Sequence, residues 1–312
     1  MNYQNIDFGY ACISTLIKDC STAKVVPMGR FNDIDDEEVQ IYKLKKVAEK
    51  NLTNTIRLLW HNITEGFKLY RFSSQLIPLA NHPSGQIWEY TETLSTKLEK
   101  LSKIINENEL KVSSHPSQYT VINTKENHKF TNAIRDLKYH NKVLTAMGLD
   151  ENAVMVVHVG GVYGDKKASM QRFIDNFKKL PKGVQNRIVV ENDDTSYSIG
   201  DVLYICNEIN RPMVLDVHHH QCYNQGENLK EMLPEIFTTW DKLKRPPKVH
   251  FSSPRSKNSP KSHADYIDPE QFKEFASLAD NYQYDIMVEA KKKDEAVLKL
   301  WEDIGYDPPK NY

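Results

Sequence analysis

Residues 212–223 read "PMVLDVHHHQCY", an apolar run suited to a buried strand that ends in an aspartate, three histidines and a cysteine. Burying such groups without partners costs several kcal/mol each, so the cluster requires partners, a metal or the solvent of a cavity mouth. The same design recurs on both sides of it. Runs of strand length appear as "IDFGYACI" (6–13), "LYRFSS" (69–74), "KVSSHPSQ" (111–118) and "AVMVVHVG" (153–160). Four more are "RIVVEND" (187–193), "PMVLDVHH" (212–219), "PKVHFSS" (247–253) and "DIMVEAK" (285–291). Between them lie segments of helical spacing, such as Leu44, Val47, Ala48, Leu52, Ile56, Leu59 and Ile63, then Leu94, Leu98, Leu101 and Ile105.

Eight alternations of strand and helix in 312 residues predict a TIM-type (β/α)8 barrel, with an open doubly wound sheet as the alternative. No composition break, Pro/Gly/Ser linker or further repeat divides the chain, so a single domain is expected over residues 1–312. The longest irregular stretch, 14–38, has the length of a substrate-contacting loop.

Composition narrows the function classes. Hydrophobic residues make up 39% of the chain, enough for a substantial core, and no charged leader or apolar run of membrane-spanning length is visible. A soluble intracellular protein without a membrane partner is expected, cytoplasmic, or nuclear if eukaryotic. Cys12, Cys20, Cys206 and Cys222 form no CxxC pair and are too sparse for a disulfide framework, so they are read as reduced thiols. The net charge of −1 carries no global signal for nucleic acid, but the charge is unevenly spread. Residues 242–261 are rich in Lys and Arg with no acidic residue, whereas 32–38 read "NDIDDEE". A basic loop of this kind is ordinary solvated surface unless it borders a reactive site.

His115, His158, Glu191, Asp216, His250 and Glu289 stand near the C-terminal ends of six of the eight expected strands, and His82, His219 and His263 lie in the loops just beyond. In a parallel barrel those ends converge on one face. Each residue alone has an ordinary reading as a satisfied loop or core group. Together they would repel or strand one another without cations, and a mixed nitrogen and oxygen donor set suits Zn, Mn or Fe better than Mg. A multinuclear metal site is therefore expected. Within the triple histidine, Asp216 and His219 are chosen as ligands, His218 and His220 as supporting or surface groups, and Cys222 as a small buried side chain. Lys248 precedes His250 by two residues, so both should point into the barrel, where an ammonium beside metals is disfavoured. Its expected state is neutral, modified, or paired with a phosphate or a site carboxylate.

Taken in order, "FGYACI" (8–13), "YRFSSQLIPLANHP" (70–83), "SSHPSQY" (113–119), "VVHVGGVYG" (156–164), "VVENDD" (189–194), "VLDVHHH" (214–220), "PKVHFSS" (247–253), "SHAD" (262–265) and "MVEAK" (287–291) resemble the UV damage endonucleases. These are DNA-repair enzymes on a TIM barrel related in architecture to endonuclease IV. The resemblance spans nearly the whole chain. It implies a monomer needing no obligate protein partner, and incision of double-stranded DNA immediately 5′ to UV photoproducts, both cyclobutane dimers and 6-4 photoproducts. It also implies up to three divalent ions, with manganese ahead of zinc or iron.

Carried over residue by residue, the resemblance makes Glu191 a bridge between one ion held with His115 and His158 and another held with Asp216, His250 and Glu289. His219 and His263 would hold the third, with His82 adjacent, and Glu191, Lys248 and His82 form the implied catalytic set. Gln118 and Tyr119 are the implied pair that enters the duplex beside a flipped dinucleotide, and Tyr10 the implied contact to the extruded bases. Arg255, Lys257 and Lys261 are expected to meet phosphates. Ser14 stands where the family commonly has Asn, and Ser117 where it commonly has Gly, which touches the details of lesion or backbone contact.

Two other functions fit the same barrel. A sugar isomerase or epimerase also places His, Asp and Glu on divalent metals, although such sites need fewer ligands. A non-catalytic protein that binds damaged DNA is the third reading.

Overall fold

The computed structural model describes residues 3–308. Eight parallel strands close into a barrel: β1 (Ile6–Ala11), β2 (Leu69–Phe72), β3 (Lys111–Ser114), β4 (Val154–His158), β5 (Ile188–Glu191), β6 (Met213–Asp216), β7 (Lys248–Phe251) and β10 (Tyr284–Val288). Each pairs with its neighbours in chain order, and β10 closes against β1. The remaining strands, β8 (Pro254–Ser256) and β9 (Ser259–His263), form an antiparallel hairpin after β7 that the sequence pattern did not separate from the basic segment.

Period-two alternation sorts the side chains of each strand. Met155, Val157, Ile188, Val190, Met213, Leu215, Val249, Phe251, Ile286 and Val288 face outward into the main core beneath the helices. Val154, Val156, Val189 and Val214 face inward and pack with Trp240 as a cluster of their own. The Trp240 indole donates to the Met213 carbonyl at 2.6 Å. At the N-terminal end of the barrel, Lys111 reaches Asp7 at 2.8 Å and Asp285 at 2.6 Å, while Arg245 reaches the other Asp285 oxygen at 2.9 Å. These groups form a paired, charged floor. Two residues beyond Asp7 on β1, a Cβ at Gly9 would lie 2.0 Å from the Leu69 carbonyl oxygen, so only glycine lets β1 approach β2 this closely.

The 29-residue helix Glu37–Glu65 starts where Asp36 accepts from the amides of Glu38 and Val39, and ends at Gly66 with φ of 90°. Its buried face also fixes the irregular stretch before it. Asn51 exchanges hydrogen bonds of 2.9 Å with both backbone groups of Lys24, and Asn54 donates to the Ser21 carbonyl at 2.7 Å. Residues 14–38 are thus tied to a helix and contain a short one, Met28–Asn32. Among the described residues no helix is long and apolar enough to cross a membrane.

Two sequence expectations need correction here. The third run ends at Ser114, so His115 to Gln118 lie in a loop opened by Pro116, and the sixth ends at Asp216 because Val217–Cys222 is helical. The basic segment is also not one patch. Lys242 and Lys244 precede β7, Arg245 belongs to the floor and Lys248 is buried inside the barrel, which leaves Arg255, Lys257 and Lys261 on the hairpin that follows β7.

Candidate metal centre

The C-terminal ends of β3 to β7 and β10 surround one carboxylate, Glu191, which is buried at the end of β5. Register places His158 opposite Glu191 and Asp216 opposite His250, so neighbouring strands present their polar residues at the same level. One Glu191 oxygen lies 3.2 Å from His115 Nε2 and 3.6 Å from His158 Nε2. The other lies 2.8 Å from His250 Nδ1 and 3.8 Å from His219 Nδ1. His250 Nδ1 is also 3.4 Å from Glu289, whose carboxylate pairs with Arg71.

Two groups result, His115 with His158 and Glu191, and Glu191 with Asp216 and His250, and within each the ligand atoms all lie within 4.8 Å of one another. Glu191 is common to both. Glu289 and His219 join through the distances above. His263 sits further out, its ring 6.4 Å from that of His219, and its Nδ1 is 2.8 Å from Ser252 Oγ.

Local backbone aims several of these groups. Asp216 is the N-cap of Val217–Cys222, and one of its oxygens accepts from the His219 amide at 2.8 Å. Its other oxygen, Oδ2, is buried without a hydrogen bond. His219 Nδ1 donates to the Asn192 carbonyl at 2.9 Å and His115 Nδ1 to the Pro116 carbonyl at 3.1 Å, which leaves each Nε2 as the donor atom for a ligand. His158 Nδ1 and His250 Nε2 are likewise buried with no hydrogen bond among the described residues.

The electrostatics mark a site short of positive charge. Burial pushes the Asp216 carboxyl well above the usual carboxylate range, with Glu191 and Glu289 adding to the rise against the pull of His219. Burial would raise Glu191 as well, but His250 and His158, with hydrogen bonds from His115 and His250, hold it well below that range. Against the same burial, Arg71 and then His250 hold Glu289 below it. Burial opposes the charged form of His219, yet Asp216 and Glu191 push it up to about 9. A proton on His219 is a poor substitute for a divalent cation. The mixed set of imidazoles and carboxylates, with buried acceptor atoms left over, fits first-row divalent ions.

Beneath this layer Lys248 is fully buried, and its Nζ makes no hydrogen bond to any described residue. Pairing with a site carboxylate is thereby corrected. Burial, with Arg245 adding to it, holds the amine well below the usual lysine range.

Other expected residues are placed differently. Tyr10 is fully buried and its hydroxyl donates to Asn62 at 2.7 Å, because position 10 faces the outer helices and not the mouth. A contact to extruded bases is therefore corrected. His82 is exposed, its Nδ1 accepts from the Ser84 amide at 3.2 Å, and no contact among the described residues joins it to the cluster. His218 and His220 are buried, which removes the surface reading, and the His218 ring is 5.4 Å from that of His263. Cys222 is half-buried, with Sγ 3.9 Å from His218 Nε2 and 3.5 Å from the Pro260 carbonyl. Ser14 hydrogen-bonds the buried Asp294, and its Oγ accepts from the amides of Leu16 and Ile17, so it shapes a turn.

Gln118 and Tyr119 stand exposed beside the mouth, and Tyr119 is 81% exposed, unusual for an aromatic. Arg255 and Lys257 are exposed on the hairpin, whereas Lys261 is engaged, 2.7 Å from Thr195 Oγ1 and 3.7 Å from Asp194. Sequence reasoning missed Arg71. The signal was present, since an arginine in the middle of "LYRF" must point inward if Tyr70 and Phe72 point out.

Comparison with known proteins agrees with this arrangement. A family model described as UV-endonuclease UvdE matches residues 6–308. A UV DNA damage endonuclease of Bacillus cereus (strain B4264) is 40% identical over 302 residues, covering 96% of this chain and 95% of the relative. The crystal structure of SacUVDE superposes with a TM-score of 0.85 at 30% identity, covering 97% of this chain and all of that one. Endonuclease IV from Thermus thermophilus shares the fold at 13% identity, with a TM-score of 0.57 over 96% of this chain and 97% of its own. With a closed barrel, a histidine and carboxylate cluster at its mouth and a match along nearly its full length, this chain belongs to the UV-endonuclease UvdE family.

Proposed function

We propose that this protein is a metal-dependent endonuclease that nicks double-stranded DNA immediately 5′ to UV photoproducts, including cyclobutane dimers and 6-4 photoproducts, and so starts excision repair. It acts as a monomer, one barrel domain, in the compartment that holds the DNA. The observation that carries the reading is Glu191, shared between two candidate ligand groups in a chain of this family. His115 and His158 would complete one ion site, Asp216, His250 and Glu289 a second, and His219 with His263 a third. Manganese is the first choice, with zinc or iron as alternatives. Divalent ions held by these residues would supply Lewis-acid chemistry to a phosphoryl group and to water.

The chain's own groups do the positioning. Asn192 and Ser252 orient His219 and His263 from behind, and Arg71 balances Glu289. Lys248, buried below His250 with its Nζ unpartnered among the described residues, is assigned as a proton carrier or a site of modification. The test is an end-labelled duplex carrying one defined photoproduct, with Mn, Zn or Mg supplied separately. A single nick on the 5′ side is expected with manganese, and no incision with any ion overturns the reading.

Recognition is assigned to Gln118 and Tyr119. An aromatic wedge replaces stacking lost when a dinucleotide is flipped, and a lesion has already weakened that stacking. Tyr119→Ala should lose about 1–3 kcal/mol of binding while keeping its metal content. The deficit should shrink on a duplex already unpaired at the lesion, where fewer pairs need breaking. Equal losses on paired and mismatched duplexes would instead make Tyr119 a support for its loop.

Backbone binding is assigned to the hairpin. Each phosphate contact contributes about 0.9 to the slope of log affinity against log salt. Replacing Arg255 and Lys257 by Ala should therefore flatten the slope by roughly 2, on damaged and intact DNA alike. Replacing Lys261 should add less, since Thr195 and Asp194 already hold it. An unchanged slope in salt-titrated anisotropy returns the hairpin to ordinary surface.

A further inference from the structure

Asp136 lies in the helix Asn127–Ala146, is only 5% exposed, and has no Lys or Arg partner among the described residues. Its carboxylate is held by neutral donors from two different loops. Oδ1 accepts from Asn81 Nδ2 at 2.7 Å. Oδ2 accepts from the Ser117 amide at 3.3 Å and from the Thr120 hydroxyl. His140 Nε2, one turn along the same helix, is 3.9 Å from Oδ1. A buried carboxylate without a Lys or Arg partner is costly unless hydrogen bonds satisfy it, and here those bonds come from two loops that it thereby holds together.

The donors lie in significant places. Ser117 and Thr120 bracket Gln118 and Tyr119, the two residues of this turn that stand exposed. The turn is closed on itself by Tyr119 N–H to Ser117 Oγ at 3.1 Å and Thr120 N–H to Ser117 O at 2.8 Å, so both of its ends rest on one carboxylate. Asn81 precedes His82 in the loop after β2, which the same helix also holds where Tyr139 accepts from the Ile77 amide at 3.0 Å.

We propose that Asp136 is a positioning residue for lesion recognition, a clamp that pre-orders the turn carrying Gln118 and Tyr119 and ties it to the loop after β2. The proposal rests on the assignment of Gln118 and Tyr119 to lesion recognition given above. A free turn must be ordered at the moment of binding, and a clamped one is ordered beforehand, which raises affinity without adding a contact. The clamp acts on damaged DNA alone, because intact duplex does not receive the wedge.

The test uses the manganese-loaded protein with a thymine-dimer duplex and the same duplex undamaged. Asp136→Ala should weaken binding to the damaged duplex by about tenfold, the order expected when two side chains are ordered on binding. Binding to undamaged duplex, metal content and kcat at saturating substrate should stay within about twofold, and Asp136→Asn, which keeps one acceptor, should recover part of the loss. The double variant Asp136→Ala with Tyr119→Ala should lose clearly less than the sum of the two single losses, since Asp136 acts in part through Tyr119.

Equal weakening on both duplexes, additive losses in the double variant, or a fall in kcat with lost metal each overturns the clamp. Should Asp136→Ala not fold, Thr120→Val removes one donor and must show the same selective loss in smaller degree, and its absence counts against the proposal. Normal binding by Tyr119→Ala removes the recognition assignment and the clamp with it. An impaired Tyr119→Ala beside a normal Asp136→Ala overturns the clamp alone.

Discussion

Glu191→Gln is expected to lower incision by at least about 100-fold and to reduce the ions retained per protein, with the barrel intact. The magnitude follows from the loss of groups that merely support a ligand, which already costs about 10–100-fold in affinity or activity. Glu191 is closer to the chemistry than those. Its two oxygens face four imidazoles, so the amide removes charge from both candidate ion sites at once and turns one acceptor into a donor aimed at nitrogens. Metal analysis and nicking of irradiated plasmid should be run on the same sample. Wild-type turnover with a full metal complement in the variant would remove Glu191 from its bridging position.

The second large effect is on stability. Arg71 and Glu289 are a largely enclosed pair, and removing one partner of such a pair strands the other, at a cost of about 3–5 kcal/mol. Arg71→Met should therefore lower unfolding free energy by that order when urea denaturation is followed in chelator. Arg71→Met combined with Glu289→Gln should regain much of it, because the stranded charge is gone. Bound cations should narrow the difference between wild type and Arg71→Met, since they compensate Glu289 in another way. Equal stability of both single and double variants would show that the pair is solvated and without structural weight.

The fold was legible because the hydrophobic runs are short, numerous and evenly spaced, and because their polar ends make sense only if they converge. Six ligand candidates could be named from strand ends alone. Direction was harder. Tyr10 reads as a mouth residue by position, but its parity along β1 is that of Phe8, which packs outward on Phe272 and Trp301, and parity decides the face. The histidine triplet was obscure for a similar reason, since a helix begun by Asp216 replaces alternation with a turn of 3.6 residues. The basic run misled because adjacency in sequence is not adjacency in space: a barrel strand carries the chain from one end of the molecule to the other. Asp136 was invisible, as a lone aspartate on a long amphipathic helix has no sequence mark until the loops above it are placed.

The charged floor separates two histories that are often joined in metalloproteins. Lys111, Asp7, Asp285 and Arg245 neutralise one another, and Trp240 with four valines packs the interior beside them, all without calling on a metal ion. The charges of the floor are therefore balanced by its own side chains, whereas the mouth keeps imidazole and carboxylate atoms to spare. Ions taken up at the mouth would then enter a barrel whose floor is already charge-balanced. Which element occupied that mouth would then depend on metal supply as much as on amino-acid sequence.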